Sequence, residues 1–191
     1  MKIYGVSGTN GAGKDSIAEM LAERHGFFVA SATDLLAAGL REKGWPIDRE
    51  HKSKLSAEWR RQYGMSAVVD RAWEQYQKVK DQYQGFVVGS LRHPGEGYRI
   101  HELGGQVIWV DAEPRTRYDR ISAANRGVDK ASEDSKTFEE FMADQEREMH
   151  HSGDAATLNI SDVKAQADIL LGNSSNSVET FKDDAEKALG F

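Results

Sequence analysis

The sequence contains no cysteine, so neither a disulfide framework nor a thiolate metal site is available to it. No stretch approaches the ~18 consecutive apolar residues of a membrane-spanning helix. The opening MKIYGVSG lacks the long apolar segment of a secretory leader. There is no long basic block, and the formal net charge is -6, a balance that argues against neutralising a nucleic-acid backbone. The expectation is a cytoplasmic protein with no nucleic-acid, membrane or obligate protein partner. What the chain does have is 191 residues with a 39% hydrophobic fraction, enough core for one α/β domain with a small inserted cap.

The most informative stretch is GVSGTNGAGKDS, Gly5 to Ser16. It carries the Gly8-x4-Gly13-Lys14 spacing of a phosphate-binding loop, between a short buried strand, Lys2–Ser7, and a helix, Asp15–His25. Glycines let backbone N–H groups curl around phosphate oxygens, and the helix that follows points its positive end at them. The expected ATP-binding segment is therefore Gly8, Thr9, Asn10, Gly11, Ala12, Gly13, Lys14, Asp15 and Ser16. Lys14 reaches the β and γ phosphates and is a catalytic candidate. Where a Ser or Thr usually follows the lysine to meet Mg²⁺, this chain has Asp15. Ser16 stands one residue, about 100°, further around the helix. Mg²⁺ prefers hard oxygen ligands, so Asp15, with Ser16 beside it, is the candidate metal contact for Mg²⁺-ATP.

Five short apolar runs read as strands: Lys2–Ser7, Phe27–Ser31, Gly85–Ser90, Gln106–Asp111 and Ala167–Leu171. Helical patterns fall between most of them, which implies crossover connections and a parallel sheet covered on both faces. Ser177–Leu189 reads as a closing helix with Val178, Phe181, Ala185 and Ala188 near one face. Between the second and third strands three helical stretches fit, Ala32–Lys43, Glu50–Tyr63 and Met65–Tyr83. A connection that long carries structure or function, and it reads as a helical insert over one side of the nucleotide site. Asp111–Asn125 is helix-like. The polar stretch Ala123–Thr137 reads either as a surface connection or as a lid over about residues 120–137. Arg115, Arg117, Arg120 and Arg126 lie just before or within it, and Arg117 and Arg120 are three apart, on one face. The acidic stretch Glu139–Glu148 reads as a solvated helix face. His150 and His151 are adjacent and do not make a metal pair. Trp109, inside a strand, reads as core; Trp59 and Trp73 pack within the insert or stack on a base.

Phosphate loop, long helical insert, arginine-bearing lid and closing helix together resemble the nucleoside monophosphate kinase superfamily. Within it the chain is similar to dephospho-CoA kinase-like and phage deoxynucleoside monophosphate kinase-like proteins, and to an archaeal group of nucleotide kinase-like ATPases. GTNGAGKDS matches the Gly-Lys-Asp variant of the loop, EWRRQYGMSAVVDRA an Arg-x-x-x-Gly helix pair that picks out Arg60, and VVGSLRHPGEGYRI a strand followed by Arg92, Pro94 and Glu96. The families usually carry an aspartate two or three residues before that arginine, where this chain has Gly89 and Ser90.

The resemblance implies a three-layer α/β/α P-loop kinase fold with a five-stranded parallel sheet. It implies a single domain over 1–191 with its core at 1–31 and 84–191 and an acceptor-binding helical insert at 32–83. The activity implied is ATP-dependent phosphoryl transfer to a nucleotide-like acceptor: a nucleoside or deoxynucleoside monophosphate, or dephospho-CoA. Alternatives are a non-catalytic or regulatory ATP-binding protein, or a kinase of another small metabolite. Such transfer needs in-line positioning and positive charge. Arg60 and Arg92 would grip the acceptor's phosphate, and Arg117, Arg120 and Arg126 would stabilise transition-state charge on closure. Asp34 would contact the acceptor's hydroxyl or base, or else cap a helix.

Overall fold

The computed structural model describes residues 1–123, 136–150, 153–175 and 177–191. Among these, the chain alternates strand and helix. β1 (Lys2–Gly8) leads to α1 (Lys14–His25) and β2 (Phe27–Ser31). Three helices follow, α2 (Ala32–Lys43), α3 (Arg49–Tyr63) and α4 (Ala67–Gln77), then a 3₁₀ turn at Lys80–Gln82. The rest is β3 (Gly85–Gly89), α5 (Pro94–Glu102), β4 (Gln106–Asp111), α6 (Pro114–Ala123), α7 (Phe138–Met149), α8 (Ile160–Ala165), β5 (Ile169–Gly172) and α9 (Val178–Ala188). The strands form one parallel sheet in the order β2-β3-β1-β4-β5. The chain leaves β1 toward the β2 edge and later returns past β1 to β4. Connections therefore diverge around β1, the place where open α/β sheets hold ligands at their carboxyl ends.

The alternation of side chains along each strand divides the core into two apolar layers. On one face Tyr4, Val6, Val87, Ile108 and Val110 pack against Ile17, Met20 and Leu21 of α1 and Phe181 and Ala185 of α9. On the other, Ile3, Phe86, Val88 and Val107 pack against Val69, Ala72 and Tyr76 of α4, Ile100 of α5 and Val163 of α8. A third cluster, Ala32, Leu40, Leu55, Trp59, Ala67 and Val68, joins α2, α3 and the start of α4. So α4 belongs at once to the insert and to the layer covering the sheet. All four tryptophans are accounted for by packing or stacking within the fold: Trp109 and Trp59 are buried, Trp73 packs on Tyr76 and Phe86, and Trp45 sits edge-on to His51.

Element ends follow local chemistry. Ser31 caps α2 by accepting from the Asp34 N–H at 3.1 Å, and Asp48 caps α3 by accepting from the His51 N–H at 2.8 Å. The last strand begins at Ile169, after Asp168 has used its carboxylate to accept from the Val107 N–H at 2.7 Å. The helix expected from Asp111 starts instead at Pro114, whose missing N–H suits a first turn. The stretch expected as one helix to Tyr83 stops at Gln77 and finishes as the 3₁₀ turn.

The tightest junction in the fold is at Gly8, the last residue of β1. Its φ is +143°, and a Cβ there would lie 2.0 Å from the Val110 carbonyl oxygen in the neighbouring strand. Gly8→Ala therefore combines backbone strain with a collision that only strand separation can relieve. It should lower stability by about 3 kcal/mol or more. Urea unfolding checks this; a loss below about 1 kcal/mol would show that the β1–β4 junction is softer than its geometry.

Candidate functional site

The loop from Gly8 to Gly13 is fastened from several sides. Ser7 Oγ donates to the Leu91 carbonyl at 2.7 Å. Thr9 Oγ1 donates to Asp111 Oδ1 at 2.6 Å, and Asn173 Nδ2 donates to the Ala12 carbonyl at 2.9 Å. Leu91, Asp111 and Asn173 stand at the carboxyl ends of β3, β4 and β5. From below, buried Arg117 donates from Nε to the Ala112 carbonyl at 2.8 Å and from Nη1 to the Asn10 carbonyl at 3.2 Å. Gly13, with φ +102°, turns the chain into α1, and the Lys14 ammonium folds back to donate to the Thr9 carbonyl at 2.6 Å.

A cavity of about 320 Å³ opens between this loop and the insert. Lys14, Arg49, Lys52, Arg60, Arg92 and Arg120 line it, against the carboxylates of Asp15, Glu96 and Glu148. The chain carries a net charge of -6, yet cations outnumber anions here, so the fold has gathered positive charge at one place. Lys14 is half-buried and lines the cavity. Dense protein around its ammonium disfavours the charge, and Arg92 adds to this, so its pKa is pushed down to about 7.

Two carboxylates organise the arginines. Arg60 is buried and donates from Nη2 to Glu96 Oε1 at 2.8 Å and from Nη1 to the Ala156 carbonyl at 3.0 Å. Glu96 Oε2 in turn accepts from the backbone N–H of Arg92 at 2.7 Å and of His93 at 3.2 Å. His93 closes the capping box by accepting from the Gly95 N–H on Nδ1 at 3.0 Å, while Nε2 faces the Ala155 carbonyl at 2.7 Å. These partners define a neutral ring protonated on Nε2, and burial, with Arg60 nearby, keeps its pKa below the ordinary value. The second carboxylate, Glu148 of α7, accepts from Arg49 Nε at 2.8 Å and Nη2 at 2.5 Å, and from Arg92 Nη1.

Of the expected site residues, Asn10, Gly11, Gly13, Lys14, Asp15, Ser16, Arg60, Arg92 and Arg120 line the one cavity. Gly8, Thr9 and Ala12 build the loop behind it. Arg117 does not share the cavity with Arg120. One turn of α6 separates their tasks: Arg117 is buried under the loop, whereas Arg120 Nη2 donates to the Ser175 carbonyl at 2.7 Å and its Nη1 is buried with no hydrogen-bond partner. Asp34 neither ends a strand nor caps the helix; Ser31 is the cap, and Asp34 lies in the first turn of α2. It lines an adjoining cavity of about 610 Å³ that shares Asp15, Thr33, Lys52 and Ser90 with the first. Arg126 and His151 lie outside the described residues, as does most of the stretch read as a lid. Glu148 corrects the reading of a wholly solvated acidic helix: Glu139, Glu140 and Glu146 are exposed, but Glu148 is buried. No motif in the sequence marks Arg49, Lys52 or Glu148 as site residues. Ser90, standing where an aspartate was expected, has φ 66°, a left-handed backbone uncommon for serine and concentrated at functional sites.

Sheet order, loop and cavity define a P-loop kinase-like α/β domain. The family described as AAA domain matches residues 5–142, and the chain belongs to that family. It is similar to a UPF0200 protein of Methanococcus maripaludis, 25% identical over 96% of this chain and 93% of the relative. A UPF0200 protein of Hyperthermus butylicus is 29% identical over 96% of this chain and 91% of its own. Among solved structures, shikimate kinase from Bacteroides thetaiotaomicron superposes with a TM-score of 0.58 at 10% identity, covering 100% of this chain and 99% of that one. A Thermus thermophilus protein superposes with a TM-score of 0.57 at 19% identity, covering 98% and 95%. These structural likenesses establish the fold.

Removing one partner of a buried ion pair strands the other charge. Glu96→Ala would leave the Arg60 guanidinium and two backbone N–H groups without their acceptor, and should cost about 3–5 kcal/mol in denaturant unfolding. A loss near zero would mean that water replaces the carboxylate and that the pair does not organise the site.

Proposed function

We propose that the protein transfers the γ-phosphoryl group of ATP to a small nucleotide-like acceptor, a nucleoside or deoxynucleoside monophosphate or dephospho-CoA. The observation that carries this reading is the single cavity onto which Lys14 of the phosphate loop, Arg92 of the β3 edge, Arg49 and Lys52 of the insert, and Arg120 of α6 all open. Donor phosphates lie along the loop's N–H groups and the start of α1, with Lys14 on the β and γ oxygens. The acceptor lies across the cavity with its anion on Arg92 and Arg49, an arrangement that brings two anions together only because cations surround both. Arg120 Nη1 offers its unused donor to the charge that builds up on the moving phosphoryl group. Arg60 acts as a positioning residue, through Glu96, on the Arg92 backbone.

The donor set suits Mg²⁺ brought in with the nucleotide. Asp15 is exposed at the start of α1 and Ser16 half-buried behind it, and both line the cavity. Among the described residues no group of three or more His, Cys, Asp or Glu side chains could hold a metal. A cation that keeps its waters and borrows phosphate oxygens needs no more than one or two protein ligands. When bound it would draw charge from the β and γ oxygens. A second reading, nucleotide binding without transfer, is favoured by Ser90 standing where related kinases carry a carboxylate. Turnover measured with nucleoside monophosphates, deoxynucleotides, dephospho-CoA and shikimate-like small metabolites separates the two.

Three measurements test the proposal. Lys14→Ala should lower transfer about 10²–10³-fold or more with the fold intact; near-normal turnover would remove the loop from the chemistry. Arg92→Ala should raise the acceptor KM while ATP affinity stays within a few-fold. Asp15→Asn should shift the Mg²⁺ midpoint of the reaction, and an unchanged midpoint would end the metal role of Asp15.

The lowered Lys14 pKa of about 7 gives a further signature. At about pH 8 Lys14 is mostly neutral in the free protein, and phosphates raise its pKa, so ATP binding takes up a proton there and not at about pH 6. Calorimetry in buffers of different ionisation enthalpy should show that uptake, and Lys14→Met should abolish it. The same shift makes the unfolded chain bind more protons between about 7 and the ordinary lysine value. The Lys14 contribution to stability therefore rises with pH across that window and is least favourable below it.

A further inference from the structure

The Glu148 carboxylate holds Arg49 with two donors on one oxygen and Arg92 on the other. These are charge-assisted hydrogen bonds of the kind with which arginines also hold phosphate. Both arginines line the cavity that Lys14 enters. Glu148 is also unlike the other glutamates of α7, since Glu139, Glu140 and Glu146 are exposed and Glu148 is 8% exposed. Burial opposes its charge, yet Arg92 and Arg49 outweigh burial and keep the carboxyl below the ordinary value. A buried carboxylate facing two arginines at a ligand cavity is thus held as an anion by the very groups a substrate anion would use.

We infer that Arg49 and Arg92 form an anion subsite for a phosphate group, and that Glu148 is its internal occupant, displaced when a phosphate-bearing ligand enters. The inference deepens the proposed acceptor site and rests on that reading for the ligand's role in catalysis, but not for the competition itself. A phosphate carries up to two charges where the carboxylate carries one, so the exchange keeps both arginines paired and returns Glu148 to water. The other buried side chain of α7, Phe141, packs on Tyr118 and Phe138 with ring centroids 5.9 and 6.4 Å away. Glu148 is therefore the polar tie between the last turn of α7 and the cavity. Filling the subsite releases that turn.

The test uses inorganic phosphate as the probe, in a Lys14→Ala background so that the loop lysine does not contribute. Adding Glu148→Gln should tighten phosphate binding by roughly tenfold or more, and adding Arg49→Ala or Arg92→Ala should remove the gain. Equal affinity with and without Glu148 overturns the inference. On the unsubstituted chain, saturating phosphate should speed hydrogen exchange of the amides in the last turn of α7; unchanged or slower exchange there overturns it. This arm needs no variant and decides the matter if Glu148→Gln fails to fold. Phosphate competition observed in a chain that does not bind ATP supports this inference and overturns the kinase reading alone.

Discussion

The structure depends on how closely the loop after β1 approaches β4. Gly8 sits where any side chain would strike the Val110 carbonyl, and the residues on either side of it are bound to β3 and β4 by Ser7 and Thr9. Asn173 and Arg117 then hold the Ala12 and Asn10 carbonyls from outside. The Asn10 and Ala12 carbonyls are thereby engaged by the framework, and the Thr9 carbonyl by the Lys14 ammonium. The loop is thus shaped by its glycines together with the surrounding elements, two of which, α6 and the β5 edge, take up its Asn10 and Ala12 acceptors.

The second constraint is electrostatic. A chain of net charge -6 concentrates six cationic side chains around one cavity, and their mutual repulsion must be met inside the protein. Glu96 and Glu148 do this in different ways. Glu96 is buried, shared between Arg60 and two backbone N–H groups, and so serves the framework. Glu148 sits at the cavity wall between two arginines, where a ligand anion competes for the same donors. The two carboxylates differ in their partners: Glu96 ties one arginine to backbone N–H groups, whereas Glu148 ties two arginines that both line the cavity. Burial of Lys14 beside Arg92 expresses the same repulsion, and an incoming phosphate relieves it.

The helical insert is not a separate cap. α2 and α3 share a core of their own with the first turn of α4, but Val69, Ala72 and Tyr76 of α4 lie on the sheet. The insert is therefore packed directly onto the layer that covers β3. Arg60 on α3 completes this link by gripping Glu96 at the start of α5.

What the sequence determined by itself was what is local. The Gly8-x4-Gly13-Lys14 spacing and the five apolar runs are readable because backbone sterics and side-chain periodicity act over a few residues, whereas the cap of α2, read at Asp34, is Ser31. The parallel α/β sheet followed from their alternation. Tertiary structure alone decided which charges meet. Arg117 and Arg120, three residues apart, were separated by what packs on each side of α6. Arg60, read as a ligand contact, was drawn into a buried pair with Glu96, 36 residues away. Glu148 was brought to Arg49 across 99 residues and to Arg92 across 56. No spacing rule encodes such encounters, because they arise when sheet order and helix packing bring distant segments to one edge, and the cost of burying a charge then selects its partner.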